Sequence, residues 1–173
     1  MLKIFGIMLV ILSTSGIGIK LSDNLKYRIE ELEELKKFMI MLRGEIMYNV
    51  ASVSEAMKRI KSRLKMPYTN LIDKVVNELS EHNGKSFSEI WESGVEVFEE
   101  NNNSLIKSDV DRLRGFGNDF GSPHKEIQLK SFDMYIDELE ITINEARKKN
   151  ADNSKMYKSL GVLTGIVIVI LIV

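Results

Sequence analysis

The chain has 173 residues, a length that suits one domain, and it has no cysteine, which excludes disulfides, thiol nucleophiles and cysteine-bound metals. Its formal net charge of −1 argues against a protein that binds nucleic acid through bulk electrostatics. All acidic residues lie between Asp23 and Asp152, so a charged middle separates two apolar ends.

The N-terminal segment, residues 1–20, is predicted to be a transmembrane anchor. As a helix, Ile4–Ile19 would cover ~24 Å of a hydrocarbon core of ~30 Å, and Lys3 and Lys20 can reach the two interfaces. A cleaved signal peptide is the alternative, with Ser13–Ser15 as its cleavage site, and it would make the chain a secreted or surface-tethered helical adaptor. The amphipathic pattern that continues unbroken from Lys20 favours the anchor.

Residues 21–158 are predicted to form one cytoplasmic all-α domain, a bundle of about six helices without a sheet. The first helix has apolar residues at heptad-like spacing, namely Leu25, Leu32, Leu35, Met39, Leu42 and Ile46. The last helix has a similar stripe, formed by Leu129, Phe132, Ile136, Leu139, Ile143 and Ala146. We expect these two long helices to lie antiparallel, to continue into the terminal segments, and to pack against four short helices.

The stretch "EIMYNVASVSEA" after the first stripe is predicted to be a helix joint. Asn49–Ala51 break the helical pattern, and Ser52 with Glu55 fits a capping box that starts the second helix. We expect Tyr48 to pack across the joint. Glu45 and Glu55 are candidates for either a structural or a partner-binding role, with the structural role favoured.

Basic residues dominate the second helix and the segment after it. Five of them fall within eight positions, and they are Lys58, Arg59, Lys61, Arg63 and Lys65. Such a group can steer a protein partner or hold the domain against anionic lipid. We take Lys58, Arg59 and Arg63 as candidate partner-binding residues.

The later helices have their own start signals. Ser86 with Glu89 fits a second capping box, Ser108 with Asp111 predicts the start of the fifth helix, and Ser122–Pro123 suit the start of the sixth. The large side chains expected in the core are Trp91, Phe98, Leu113, Phe132 and Leu139.

The C-terminal segment, residues 159–173, has no charged side chain and is predicted to be a second anchor, with a buried core helix as the alternative. Gly161 and Gly165 form a GxxxG pair that permits close helix packing in lipid. Basic residues flank both apolar ends on the side of the domain, which places the middle of the chain in the cytoplasm.

Signatures of catalysis are missing from the sequence. His82 and His124 have no ligand partner at helical spacing, and there is no phosphate loop, nucleophile elbow or zinc-protease motif. We therefore predict no enzyme activity, no catalytic residue, no cofactor and no metal.

Three stretches together resemble the stage III sporulation protein AB family of endospore-forming bacteria: "LRGEIMYNVASVSEAMKRI", "GFGNDFGSPHKEIQ" and "MYKSLGVLTGIVIVILIV". The resemblance spans the whole chain, including both apolar ends. It implies a helical domain similar to the cytoplasmic domains of the inner-membrane platform protein of type II secretion and type IV pilus systems.

The resemblance also implies a function. The chain would be a membrane-anchored platform in the complex that links mother cell and forespore, located in the mother-cell membrane around the forespore with its soluble domain in the mother-cell cytoplasm. Its implied partners are a secretion-type ATPase of the same sporulation operon, other membrane components of the channel, and membrane lipid, with no nucleic acid. Homo-oligomerisation stays open.

Overall fold

The structure, a computed structural model, describes residues 2–48, 51–81, 84–102, 104–120 and 124–172, and it describes side chains within residues 24–152 except at Asp119. Six α-helices follow one another in these residues, with a 3-10 turn at Lys61–Arg63 after the second: α1 (Leu2–Tyr48), α2 (Val53–Ile60), α3 (Tyr68–Glu81), α4 (Phe87–Glu100), α5 (Lys107–Phe120) and α6 (Lys125–Ile172). No β-strand occurs in the described part of the chain. The predicted all-α fold of six helices is confirmed.

The chain divides into two compact units. One comprises Glu31–Thr142 and contains α2 to α5 with the adjoining parts of α1 and α6. The other comprises Met1–Glu30 and Ile143–Val173. The predicted anchors, residues 1–20 and 159–173, belong to this second unit, and their side chains lie outside the described residues. Within the residues that the structure describes, no helix has an apolar stretch long enough to cross a bilayer.

The helices α1 and α6 run antiparallel within the unit Glu31–Thr142. Lys36 of α1 pairs with Glu140 of α6 at 3.0 Å, and Arg43 Nη2 donates to Asp133 Oδ2 at 3.1 Å. From the first contact to the second, the residue number rises by seven in α1 and falls by seven in α6, so the two helices run in opposite directions. This is the predicted arrangement of the two long helices.

The core of this unit is built around the single tryptophan. Trp91 is fully buried, and its indole N–H donates to the Leu113 carbonyl oxygen at 2.7 Å, which ties α4 to α5. The Phe38 ring of α1 lies nearly parallel to the indole, with 6.5 Å between ring centroids. All the large side chains predicted for the core are buried, namely Trp91, Phe98, Leu113, Phe132 and Leu139.

Two glycines allow α4 to approach its neighbours closely. A Cβ at Gly94 would lie 2.5 Å from Val75 Cγ2 of α3. A Cβ at Gly117 of α5 would lie 2.4 Å from the Trp91 Cδ1 atom. Since side-chain atoms do not pack at such distances, a side chain at either position would force the helices or the indole apart.

Two of the predicted helix starts are confirmed in detail. The Ser52 hydroxyl accepts from the Glu55 N–H at 3.3 Å, and the Glu55 carboxylate accepts from the Ser52 N–H at 3.1 Å. Ser86 and Glu89 form the same reciprocal pair at the start of α4. Each box satisfies N–H groups that the first helical turn leaves unpaired.

The predicted start of the fifth helix is wrong. Helix α5 begins at Lys107, and the Ile106 N–H donates to Asp109 Oδ2 at 3.2 Å. Ser108 therefore lies inside the first turn and is exposed. The carboxylate that pairs back to the helix start is therefore that of Asp109 and not that of Asp111. For the sixth helix, Ser122–Pro123 lie outside the described residues.

Candidate protein-interaction site

The joint between α1 and α2 contains the first pair of candidate residues. Arg59 Nη1 lies 3.3 Å from Glu45 Oε2, and the Glu45 side chain is 19% exposed. The contact forms because Ala56, Met57 and Ile60 bury one face of α2, which leaves Arg59 beside α1. The ion pair links α1 to α2 across the joint, and a partly exposed pair of this kind contributes ~1 kcal/mol or less.

Glu55 has a structural role in the same joint. Its carboxylate accepts hydrogen bonds from the backbone N–H and the hydroxyl of Ser52 at 3.1 and 3.2 Å. These bonds, the backbone one above all, lower the pKa of Glu55. Both bonds are accepted by Oε2, so the cap uses one of the two carboxylate oxygens.

Tyr48 does not pack across the joint, so that prediction is wrong. Its side chain is 76% exposed, whereas Ile46 is 4% exposed. Helix α1 continues through Tyr48, and two residues along a helix correspond to a rotation of about 200°. Because Ile46 faces the core, the Tyr48 side chain points away from it.

The basic segment after the joint is partly neutralised by contacts within the chain. Lys61 Nζ lies 2.6 Å from Asp73 Oδ1, and Arg59 is held by Glu45. Lys58 and Arg63 are exposed and form no hydrogen bond or ion pair with another described residue, although Lys58 lowers the pKa of Glu55 through its charge. The structure therefore divides the three candidate residues, since Arg59 is paired whereas Lys58 and Arg63 remain available.

A buried carboxylate that the sequence did not single out lies between α3 and α4. Glu78 is 6% exposed, and it accepts from Lys85 at 2.8 Å, from Ser93 at 2.7 Å and from Lys74 at 3.0 Å. These three donors, led by Lys85, lower the pKa of Glu78 to about 2. A carboxylate so fully paired stays ionised and links α3 to α4. In the sequence, only its four-residue spacing from Lys74 indicated one of these contacts.

The described residues contain no group of three or more histidine, aspartate or glutamate side chains that could hold a metal ion. His82 lies outside the described residues, and His124 precedes α6. Gly161 and Gly165 also lie outside the residues whose side chains are described. What the described part of the chain offers is a set of surfaces on a helical bundle.

Two comparisons with known proteins match almost the whole chain, and a third matches most of it. A family model described as stage III sporulation protein AB matches residues 3–173. The protein named stage III sporulation protein AB from Bacillus subtilis (strain 168) is 27% identical over 172 residues, which cover 99% of each chain. A solved structure of a stage III sporulation protein AB is similar with a TM-score of 0.64 and 23% identity, over 72% of this chain and 97% of that one, and this likeness shows the fold.

Proposed function

Because the chain belongs to the stage III sporulation protein AB family, we propose that it is a membrane-anchored structural component of the channel-like complex between mother cell and forespore. The family match over residues 3–173 is the observation that carries this proposal, and it implies a role in sporulation. The shared name and coverage of the Bacillus subtilis relative support it.

In this proposal, residues 1–20 and 159–173 anchor the chain in the mother-cell membrane that surrounds the forespore. Helices α1 and α6 include these segments and extend from them into the helical bundle. Basic residues beside both segments favour a domain in the mother-cell cytoplasm. The mass of the mature membrane protein tests the N-terminal anchor, because an N-terminus near Gly16 would indicate a cleaved signal peptide.

In this proposal the chain has a structural role, and its helical bundle docks a cytoplasmic secretion-type ATPase. Lys58 and Arg63 are the proposed contact residues, since they are exposed and are not engaged by a described carboxylate through a hydrogen bond or ion pair. Charges at the rim of an interface chiefly set association rate and specificity. The contact should therefore weaken as salt increases.

The test is capture of the ATPase by the full-length chain in lipid nanodiscs, at two salt concentrations. We expect Lys58→Glu with Arg63→Glu to reduce capture, most clearly at low salt. Arg59 is left unchanged, because its reversal would place a carboxylate against Glu45 and disturb the joint. The control is Lys107→Glu with Lys130→Glu, two exposed lysines elsewhere in the bundle with the same change in charge. Equal capture by both double variants would remove this surface from the interface.

A further inference from the structure

Electric charge is divided unevenly between the two compact units of the chain. The unit Glu31–Thr142 has 15 basic and 21 acidic side chains, a formal charge of −6. The unit made of Met1–Glu30 and Ile143–Val173 has nine basic and four acidic side chains, a formal charge of +5. The net charge of −1 is therefore the sum of two opposite charges, and the basic unit is the one that contains both apolar ends.

Three basic residues of this unit lie on one face of α6, and we call them the basic face: Lys148, Lys155 and Lys158. The helix continues without interruption to Ile172, and successive residues are turned by about 100° around its axis. The three positions therefore fall within an arc of about 80°. The acidic residues of the same stretch, Glu145 and Asp152, fall outside this arc.

The basic face is turned away from the buried side of α6. Ile143 and Ala146 are 4% and 3% exposed, and their mean direction around the helix axis lies about 140° from that of the basic face. Lys148 is exposed. It forms no hydrogen bond or ion pair with another residue whose side chain the structure describes. Its ammonium group is thus available to an anion.

The basic face leads directly into the uncharged segment, residues 159–173. Lys158, Lys155 and Lys148 lie about 2, 6 and 17 Å before the first residue of that segment along the helix axis. The headgroup layer of one leaflet is about 5–8 Å thick. With residues 159–173 in the membrane, as proposed above, positions 155 and 158 are at the depth of the headgroups. Position 148 is within about one electrostatic screening length of them, ~10 Å.

We propose that the basic face of α6 binds the phosphate groups of anionic phospholipids. Each lysine ammonium group offers three hydrogen-bond donors, and its charge near an anionic membrane surface strengthens binding about fivefold. A lipid is favoured over a soluble anion because its acyl chains can pack beside the uncharged segment that follows the basic face. This inference rests on the proposed membrane anchoring and adds to it the class of lipid that surrounds α6.

The test uses the full-length chain in phosphatidylcholine bilayers, with one fluorescent label on an introduced cysteine, since the chain has no cysteine of its own. The label is placed by Ser159→Cys, which lies beside the basic face at the start of the uncharged segment. Phosphatidylglycerol and phosphatidylcholine with a nitroxide near the headgroup serve as quenchers. We expect phosphatidylglycerol to associate with this position about fivefold more strongly than phosphatidylcholine at low salt. This preference should decrease as the salt concentration rises.

A second label controls for depth. The variant Leu160→Cys places it one residue further along α6 and about 150° from the centre of the basic face. Both quenchers should reach this position, and we expect them to associate with it to a similar extent. A preference confined to Ser159 would therefore belong to one face of the helix, whereas a general attraction to the membrane surface would affect both positions equally.

Substitutions identify the groups responsible. The triple variant Lys148→Gln, Lys155→Gln and Lys158→Gln should lose the preference at Ser159, whereas arginine at the same three positions should keep it, because the charge is retained. A control triple variant makes the same change in charge at three exposed lysines of the other unit, and it should leave the preference unchanged: Lys65→Gln, Lys107→Gln and Lys130→Gln.

Several outcomes would overturn the proposal. These are equal association of the two lipids at Ser159, the same preference at Ser159 and Leu160, and an unchanged preference after the three glutamine substitutions in the basic face. Loss of the preference in inorganic phosphate, relative to chloride at the same ionic strength, would indicate a site for a soluble anion instead. Quenching by neither lipid at either position would show that residues 159–173 do not enter the bilayer, and it would overturn the anchoring as well. Equal quenching by both lipids would leave the anchoring standing, so the two failures can be distinguished.

Discussion

The close contact between α4 and α5 predicts opposite effects for two neighbouring glycine substitutions. An alanine Cβ at Gly117 would lie 2.4, 2.7 and 2.9 Å from three atoms of Trp91, so the indole or the helix must move by about 1 Å to reach ordinary contact. The indole has little freedom to move, since it is fully buried and hydrogen-bonded to the Leu113 carbonyl oxygen. At Gly115 the same methyl group meets nothing within 4 Å.

The magnitudes follow from two opposing effects. Alanine is favoured over glycine within a helix by ~1 kcal/mol, and this gain applies at both positions. Overpacking a core typically costs ~1–3 kcal/mol, and weakening the indole hydrogen bond adds ~1 kcal/mol. We therefore expect Gly115→Ala to stabilise the fold by up to ~1 kcal/mol and Gly117→Ala to destabilise it by ~1–3 kcal/mol.

The measurement is thermal unfolding of the full-length chain in mild detergent, followed by circular dichroism and by emission of the single tryptophan. Each kcal/mol should shift Tm by ~2–4 °C in a chain of this size. The emission of Trp91 should also change in the folded state of Gly117→Ala and not in that of Gly115→Ala. If both variants are equally stable and their emission is the same, α5 does not approach Trp91 as described.

Four variants test other parts of the molecule. The pKa of Glu78 in the folded state is about 2, below its ordinary value of 4.5, so its contribution to stability is complete above pH ~4.5 and is lost as the pH falls toward 2. Glu78→Gln should flatten the pH dependence of the free energy of urea unfolding in this range. An unchanged pH dependence would contradict the pairing of Glu78 described above. Ser52→Ala should lower the free energy of unfolding by ~1 kcal/mol through loss of the cap, seen as a lower urea midpoint. Leu139→Ala should cost ~2–5 kcal/mol, because the side chain is buried, and an unchanged melting curve would place it outside the core. The double variant Gly161→Leu with Gly165→Leu should weaken crosslinking of residues 159–173 to a neighbouring membrane helix. The melting temperature of the helical bundle should not change.

Some predictions from the sequence failed because they depended on the path of the chain. Arg59 and Lys61 looked like members of one basic surface, but carboxylates 14 and 12 residues away pair with them. Tyr48 was expected in the joint, and its exposure follows from how far α1 continues. The start of α5 differs from the prediction because the residue before it, Ile106, has no capping side chain, and only the carboxylate of Asp109 pairs back to its N–H.

The sequence by itself determined the number of helices, two capping boxes and five large side chains of the core. These features depend on residues three to seven positions apart, and helix geometry alone converts such spacings into shared faces and hydrogen bonds. Only the tertiary structure decided that Gly117 must lack a side chain and that Glu78 is paired with Lys85 and Ser93. Contact, burial and ion pairing join distant parts of the chain, and no local spacing specifies which of those parts will meet.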